Sequence, residues 1–253
     1  MINMNDNPTI EVAISGGMGN MGKLVTDFIE NKSGFKISGI YDPGKKSEKY
    51  HNFDNLDDIT GDLLIEFSPA DQINNNLSHF INKNMNLLIG SSGIDSELIE
   101  KLRETISEDQ YICIIPNFSI GASLQKIFSK IANQSFNNVS IEERHHVNKK
   151  DAPSGTAINL ANELSTEIRP STDDENTETH VVNNINISSL RNDKYIAEQT
   201  VFFKGNSELI SIDHIVKHRE AYLEGINYIL DLHTELKGFS HGLENIMIDR
   251  FKI

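Results

Sequence analysis

The stretch E-E-R-H-H-V-N-K-K-D-A-P-S-G-T-A, residues 142–157, crowds two histidines and two lysines against an aspartate and a Ser-Gly-Thr triplet. A metal centre is the first chemistry to test. His145 and His146 are adjacent, and on a strand adjacent side chains point to opposite faces, so they do not chelate one ion. No cysteine or close carboxylate cluster completes a zinc set, and no metal is expected. The other chemistry is an acid site that grips anions. Ser154 or Thr156 can cap the helix opened by S-G-T-A, leaving the amides of Gly155, Thr156 and Ala157 as unpaired donors. A carboxylate fits there for the reason a phosphate does. Lys149 and Lys150 add positive charge. An imidazole, ordinarily titrating near ~6.5, donates a proton at neutral pH, which suits His145 to acid chemistry. Such a set fits a small di-acid that must be both held and protonated. The competing reading is a capped helix after a polar loop, and these residues alone leave the two open.

A second chemical motif lies near the start, in I-S-G-G-M-G-N-M-G-K. Gly17, Gly19 and Gly22 satisfy G-x-G-x-x-G, and Gly16, Gly19 and Gly22 give a second three-residue spacing. Glycines let the chain turn sharply against a pyrophosphate, which the following helix N-terminus attracts. Plain tight turns use glycine too, so context decides. Here the motif follows a strand-like run and opens a helical one. Asp42 ends the next strand, where an acidic residue takes the adenosine ribose hydroxyls. Asp-Pro-Gly is also turn chemistry, and both roles can hold. A carboxylate at this place repels a 2′-phosphate, which favours NADH over NADPH, although Lys45 and Lys46 soften that repulsion. F-S-P-A-D (67–71) and G-S-S-G (90–93) follow strands in the same half and should border a nicotinamide.

These residues need a scaffold to position them. The first half alternates strand and helix: T-I-E-V-A-I-S-G, then a helix with Met21, Leu24, Val25, Phe28 and Ile29 on one stripe, then F-K-I-S-G-I-Y-D, D-L-L-I-E-F-S, N-L-L-I-G-S-S-G and Y-I-C-I-I-P-N with helical runs between the later ones. That pattern predicts a parallel sheet covered on both faces. After Asn117 comes a helix expected to carry Leu124, Ile127, Phe128 and Ile131 on one face. A strand, N-V-S-I-E-E-R-H-H, and the helix S-G-T-A-I-N-L-A-N-E-L-S-T-E-I follow. Three strand-like runs at 181–191, 194–203 and 208–216 have no helix between them, which predicts an antiparallel or mixed sheet in a second domain. Residues 169–180 read as a loop. A long helix over 219–236 and a short tail close the sequence. The 253 residues carry 23 basic and 37 acidic side chains, a net charge of −14, so nucleic acid is excluded as an expected partner. The lone cysteine, Cys113, forms no internal disulfide. No apolar run approaches the ~20 residues of a membrane span, and the polar N-terminus does not read as a signal peptide, so a cytoplasmic protein is expected.

The pattern H-H-x-x-K-x-D-x-P-S-G-T-A, matched by His145, His146, Lys149, Asp151, Pro153, Ser154, Gly155, Thr156 and Ala157, resembles the signature of the 4-hydroxy-tetrahydrodipicolinate (dihydrodipicolinate) reductase family. V-A-I-S-G-G-M-G-N-M-G-K, F-S-P-A-D, G-S-S-G, P-N-F-S-I-G-A-S and H-I-V-K-H-R agree in order and spacing, so the resemblance covers most of the chain. It implies an α/β protein: a Rossmann-type parallel-sheet dinucleotide-binding domain over 1–117 and 220–253, with an α+β, mixed-sheet domain over 118–219 for substrate binding and tetramerisation. It implies a proton donor in His145, a lysine for catalysis and substrate binding in Lys149, and carboxylate-holding groups in His146, Ser154, Gly155 and Thr156. Gly16, Gly19, Asn20, Met21, Gly22, Asp42, Phe67, Gly90, Ser92, Asn117 and Phe118 fall at the dinucleotide site. The implied reaction is hydride transfer to C4 of a cyclic dicarboxylate, loss of its hydroxyl as water and protonation from His145, in the diaminopimelate route to lysine, by a homotetramer using NADH or NADPH. Some positions depart from the pattern. Val147 and Asn148 stand where several relatives carry Arg and His, Pro43 where some carry an arginine that reads the NADP phosphate, and Gln199 where His is usual. The rival readings are another two-domain amino-acid or semialdehyde dehydrogenase, against which the K-K-D-A-P-S-G-T-A segment speaks, and a nucleotide sensor without catalysis.

Overall fold

The computed structural model describes residues 8–164 and 178–251. The chain divides into two compact units, one of Met1–Phe118 with Ile226–Ile246 and the other of Ser119–Gly225 with Met247–Ile253, each taken over its described residues.

The first unit is built on strands β1 (Ile10–Ser15), β2 (Phe35–Tyr41), β3 (Leu63–Glu66), β4 (Asn86–Ile89) and β5 (Tyr111–Ile114), with helices α1 (Asn20–Glu30), α2 (Ile73–Phe80) and α3 (Ser96–Thr105) between them. A later strand, β11 (Gly238–His241), joins β5, so the sheet order is β11-β5-β4-β3-β1-β2 and every pairing is parallel. The short apolar runs form strands because both faces are covered: all four residues of β3 and of β5 are buried. Leu64, Leu87, Ile112 and Ile114 of the sheet share a core with Ile73, Leu77 and Phe80 of α2 and Leu102 of α3. Each fully buried side chain of this size contributes about 1.5–3 kcal/mol. In α1 the buried positions are Gly22, Val25, Thr26 and Ile29. The strand order reverses at β1, between β2 and β3, which is where a sheet of this kind opens a crevice at its carboxyl edge.

The second unit starts with α4 (Ile120–Asn133), β6 (Val139–His145) and α5 (Gly155–Glu163), and continues through β7 (Glu178–Val182), β8 (Ile185–Arg191), β9 (Ala197–Lys204) and β10 (Leu209–Val216). The sheet order is β10-β9-β6-β8-β7, with β6 and β8 parallel and the other pairs antiparallel. Val139 and Ile141 of β6, Ile185 and Ile187 of β8, and Val201 and Phe203 of β9 pack with Ala157, Leu160 and Ala161 of α5. Two short helical elements, α6 (Ala221–Asp231) and α7 (Leu243–Ile248), fall in the closing segment of the chain.

Four expectations change. The run 181–191 is not one strand: Asn183 and Asn184 hold φ of 49° and 62°, and this reversal splits it into the hairpin β7–β8. Of the loop expected over 169–180, residues 169–177 lie outside the described residues and 178–180 are strand. The closing helix is shorter than its apolar run, and the tail supplies β11. On α4, Ile127 is buried but Phe128 and Ile131 are 45% and 52% exposed, and the packed side carries Ser123, Gln125 and Ser129. Amide bonds explain that docking. Gln125 Nε2 donates to the carbonyls of Gln199 and Ile212, both at 2.7 Å, and Gln199 Nε2 donates to Gln125 Oε1 at 2.9 Å. Gln199 thus has a structural partner at the position where the resemblance implies a histidine.

Candidate active site

Strand β6 places His145. Its buried positions alternate through Val139, Ile141 and Glu143, so His145 continues the same face, one step beyond the apolar core. Glu143 is fully buried, and His145 Nδ1 is hydrogen-bonded to its Oε2. In the parallel pairing of β6 with β8, Arg191 stands beside His145. Its guanidinium reaches back to the same carboxylate, Nη1 to Oε2 at 3.0 Å and Nη2 to Oε1 at 2.9 Å. Burial alone raises the pKa of Glu143, but the hydrogen bonds from His145 and Arg191 outweigh it and hold the carboxyl at about 2. Glu143 is therefore an ionised acceptor beneath the imidazole. Arg144 turns to the opposite face, where it pairs with Glu142 and with Glu198.

The loop after β6 brings up the lysine. Lys149 Nζ pairs with Asp151 Oδ2 at 2.6 Å, and this contact lowers the Asp151 pKa. Arg191 holds the loop from behind, with Nε on the Lys149 carbonyl at 3.3 Å and Nη2 on the Asp151 carbonyl at 2.6 Å. His146 takes different partners from His145: its Nε2 lies 3.3 Å from Asp193 Oδ1, and its Nδ1 accepts from the Asn148 amide. The two histidines diverge, as strand geometry requires.

Helix α5 begins directly after this loop. Ser154 is its N-cap and accepts from the Ala157 amide at 3.2 Å. The cap is thus Ser154 rather than Thr156, and the Ala157 amide is taken by it. That corrects the expectation of three unpaired amides. Gly155 and Thr156, both exposed, head the helix. Ser154 is 3% exposed, because its hydroxyl turns in to cap.

In the first unit the glycine turn runs from the end of β1 into α1. Gly16 has φ +70°, and a Cβ there would lie 2.7 Å from the Phe67 carbonyl. A Cβ on Gly22 would run into the Gly16 carbonyl oxygen and lie 2.5 Å from Gly17 Cα. These are backbone contacts that cannot yield, so the turn and the helix start are nested as tightly as a pyrophosphate cradle requires. Gly19 precedes the helix, Asn20 and Met21 begin it, and all three are at least partly exposed. Asp42 accepts from the Met18 amide at 3.2 Å and from the Gly44 and Lys45 amides at 3.1 Å. Phe67 and Phe118 meet edge to face with centroids 6.0 Å apart, and Gly90 sits against both rings. Ser92 is exposed, whereas Ser91 is buried and donates to the Ser68 carbonyl at 2.8 Å. Asn117 lies between β5 and Phe118. The glycines, Asp42, Phe67, Gly90, Ser92, Asn117 and Phe118 therefore all follow the carboxyl ends of parallel strands, and His145, Lys149 and the start of α5 lie in the second unit.

Sequence reasoning passed over Glu143, Arg191 and Glu66. Glu143 left a signal, a charged residue at a core-parity position of an alternating strand. Arg191 left none, because its partner lies 48 positions away. Glu66 is 1% exposed at the end of β3 and accepts from the Ser68 amide at 2.5 Å, and burial pushes its carboxyl up.

A parallel sheet with a nested glycine turn, followed by a mixed-sheet unit, defines the class of Rossmann-type α/β proteins with a second, α+β unit. Residues 10–118 match the family model described as dihydrodipicolinate reductase, N-terminus, and residues 120–247 match dihydrodipicolinate reductase, C-terminus. The chain belongs to the dihydrodipicolinate reductase family. The 4-hydroxy-tetrahydrodipicolinate reductase of Lactobacillus acidophilus is 31% identical over 264 residues, covering 94% of this chain and 99% of that one. The protein of that name from Dictyoglomus turgidum is 29% identical over 262 residues, covering 94% and 98%. A solved dipicolinate-bound dihydrodipicolinate reductase from Paenisporosarcina sp. TG-14 superimposes with a TM-score of 0.80 at 25% identity, covering 94% of this chain and 100% of that one.

Proposed function

We propose that this chain reduces 4-hydroxy-tetrahydrodipicolinate to tetrahydrodipicolinate in the diaminopimelate route to lysine, with NADH or NADPH as reductant and NADH favoured. The observation that carries this reading is the strand–loop–helix segment 145–157, where a histidine on an ionised buried carboxylate, a lysine and a capped helix start follow one another. The family membership and the names of the relatives support it, and the dipicolinate in the Paenisporosarcina structure supports a small planar dicarboxylate as the ligand class.

The nested glycine turn fits a dinucleotide, because side chains at Gly16 and Gly22 would fill the backbone cradle. Gly16, Gly19, Asn20, Met21 and Gly22 hold the pyrophosphate, and Asp42 the adenosine ribose. Phe67, Gly90, Ser92, Asn117 and Phe118 border the nicotinamide, whose chemistry when bound is hydride donation. Asp42, with Pro43 rather than a cation beside it, supports the NADH preference. In the second unit Gly155 and Thr156 offer amides, Ser154 shapes their turn, and His146 adds a donor for the carboxylates. Lys149 leaves Asp151 to meet a substrate carboxylate. His145 delivers a proton from Nε2 while Glu143 retains the one on Nδ1.

The same reading includes a homotetramer formed through the second unit, supported by Leu209 and Ile215 of edge strand β10, which are 57% and 55% exposed. It also places the enzyme in the cytoplasm, where the buried thiol of Cys113 stays reduced. No helix among the described residues is long and apolar enough to cross a membrane.

The test is nicotinamide oxidation by the purified protein, with substrate generated in situ from pyruvate and aspartate semialdehyde by the preceding synthase. Synthase-dependent oxidation that disappears in His145→Gln supports the assignment. A folded, dinucleotide-binding protein that oxidises neither cofactor overturns it.

A further inference from the structure

Arg191 is fully committed. A guanidinium has five N–H donors. Here Nε goes to the Lys149 carbonyl, Nη1 to Glu143 Oε2 and the Leu190 carbonyl, and Nη2 to Glu143 Oε1 and the Asp151 carbonyl. No donor remains for a substrate carboxylate, although the residue sits beside His145 and behind Lys149. Its work lies in what it holds. Glu143 is the other end of that arrangement: a carboxylate with no exposed surface, taking Arg191 on both oxygens and His145 on one.

An ionised carboxylate only accepts hydrogen bonds, so its contact with His145 requires the proton on Nδ1. Nε2 is then the nitrogen that exchanges a proton with anything outside the protein. Resting on the reading of His145 as the proton donor and Lys149 as a carboxylate ligand, we propose that Glu143 and Arg191 are the positioning residues of this site. Glu143 sets the ring orientation and tautomer of His145, and Arg191 sets the backbone of 149–151 that carries Lys149.

The surroundings make the pair sufficient for this. On the neighbouring strand β9 the positions opposite Glu143 and His145 are Gln199 and Ala197, neither of them charged. Glu142, Arg144 and Glu198 form their own cluster on the other face. His146 goes to Asp193, and Lys149 to Asp151. Among the described residues, Arg191 from β8 is thus the charged group that meets the Glu143–His145 contact from another strand. A lysine in its place would neutralise Glu143 but could not also reach two loop carbonyls from a planar fork.

Tautomer and kinetics together test this. Histidine ring nitrogens would be labelled with 15N in the wild-type protein, and the His145 signals assigned by their absence in His145→Gln. Above the titration range of the ring, the expected proton is on Nδ1. A proton on Nε2, or an even mixture, in the wild-type protein overturns the proposal, and this measurement needs neither substrate nor a variant of the pair. Glu143→Gln should loosen the tautomer preference and lower kcat by about 10–100-fold, with KM moving less than about threefold. Arg191→Lys should act mainly on the grip, weakening binding of pyridine-2,6-dicarboxylate by about tenfold or more. Folded variants with wild-type tautomer, kcat and dicarboxylate affinity would make the pair a structural ion pair and overturn the proposal. A wild-type protein with no synthase-dependent turnover but with the proton on Nδ1 would sink the function assignment while leaving the geometry of the pair supported.

Discussion

The carboxylate of Asp42, at the end of β2, accepts a hydrogen bond from the backbone amide of Met18 in the glycine turn, 24 positions earlier. The same group closes its own turn through the Gly44 and Lys45 amides, so one side chain ties the glycine turn to the loop after β2. A carboxylate has about four acceptor sites, which leaves capacity for ribose hydroxyls. Asp42→Ala should therefore weaken NADH binding more than NADPH binding and shift the affinity ratio by about tenfold towards NADPH, since it removes an acceptor for the 2′-hydroxyl and a repulsion against a 2′-phosphate. Fluorescence titrations with both nucleotides measure the ratio. An unchanged ratio would limit Asp42 to shaping the turn.

The nested turn makes a sharper prediction. A methyl group at Gly22 would run into the backbone of Gly16 and Gly17. Gly22→Ala should cost about 1–3 kcal/mol of stability and abolish detectable dinucleotide binding, because α1 must back away from the turn. Gly155→Ala is the control: a Cβ there meets nothing within 4 Å, so its thermal midpoint should stay near that of the wild type. Thermal melts and nucleotide titration of both variants provide the comparison.

Glu143 ties stability to pH. Its folded pKa of about 2 lies below the usual ~4.3 of an unfolded glutamate, so the unfolded chain takes up the proton first. The stabilisation is fully present above pH ~4.5 and is lost as pH falls through that window towards ~2. Urea unfolding at a series of acidic pH values should show the gap between wild type and Glu143→Gln narrowing steadily below pH ~4.5. A gap independent of pH would mean that the carboxylate is not held ionised.

The β7–β8 hairpin separates two asparagines with the same backbone strain and different side-chain duties. Asn183 donates to the Ala161 and Leu164 carbonyls at the end of α5, at 3.2 and 2.8 Å. Asn184 is exposed at φ 62°. Asn184→Gly should be neutral or stabilise by up to about 1 kcal/mol, since Asn-Gly is the preferred pair for this turn, whereas Asn183→Gly should destabilise by about 1 kcal/mol or more through the lost helix-end bonds. Differential scanning calorimetry reads both, and equal shifts would refute the distinction.

What the sequence determined by itself is what its local spacing encodes. Four- to seven-residue apolar runs separated by helical stripes led to the parallel sheet of the first unit. The glycine turn was readable because each glycine is needed within a few residues of the next. The segment from His145 to Ala157 was readable because its members are contiguous, and a strand end, a loop and a capped helix present them in order. The tertiary structure decided the pairings. It brought β11 beside β5, although G-F-S-H has no strand pattern of its own, because a parallel edge offered a ladder to complete. It docked α4 by amide bonds from Gln125 instead of by Phe128 and Ile131. It also set Arg191 against Glu143 through the register of β6 and β8. Periodicity says which face of an element a residue occupies. Which residue of another strand meets it depends on register and crossover, and those are settled only when the whole sheet forms.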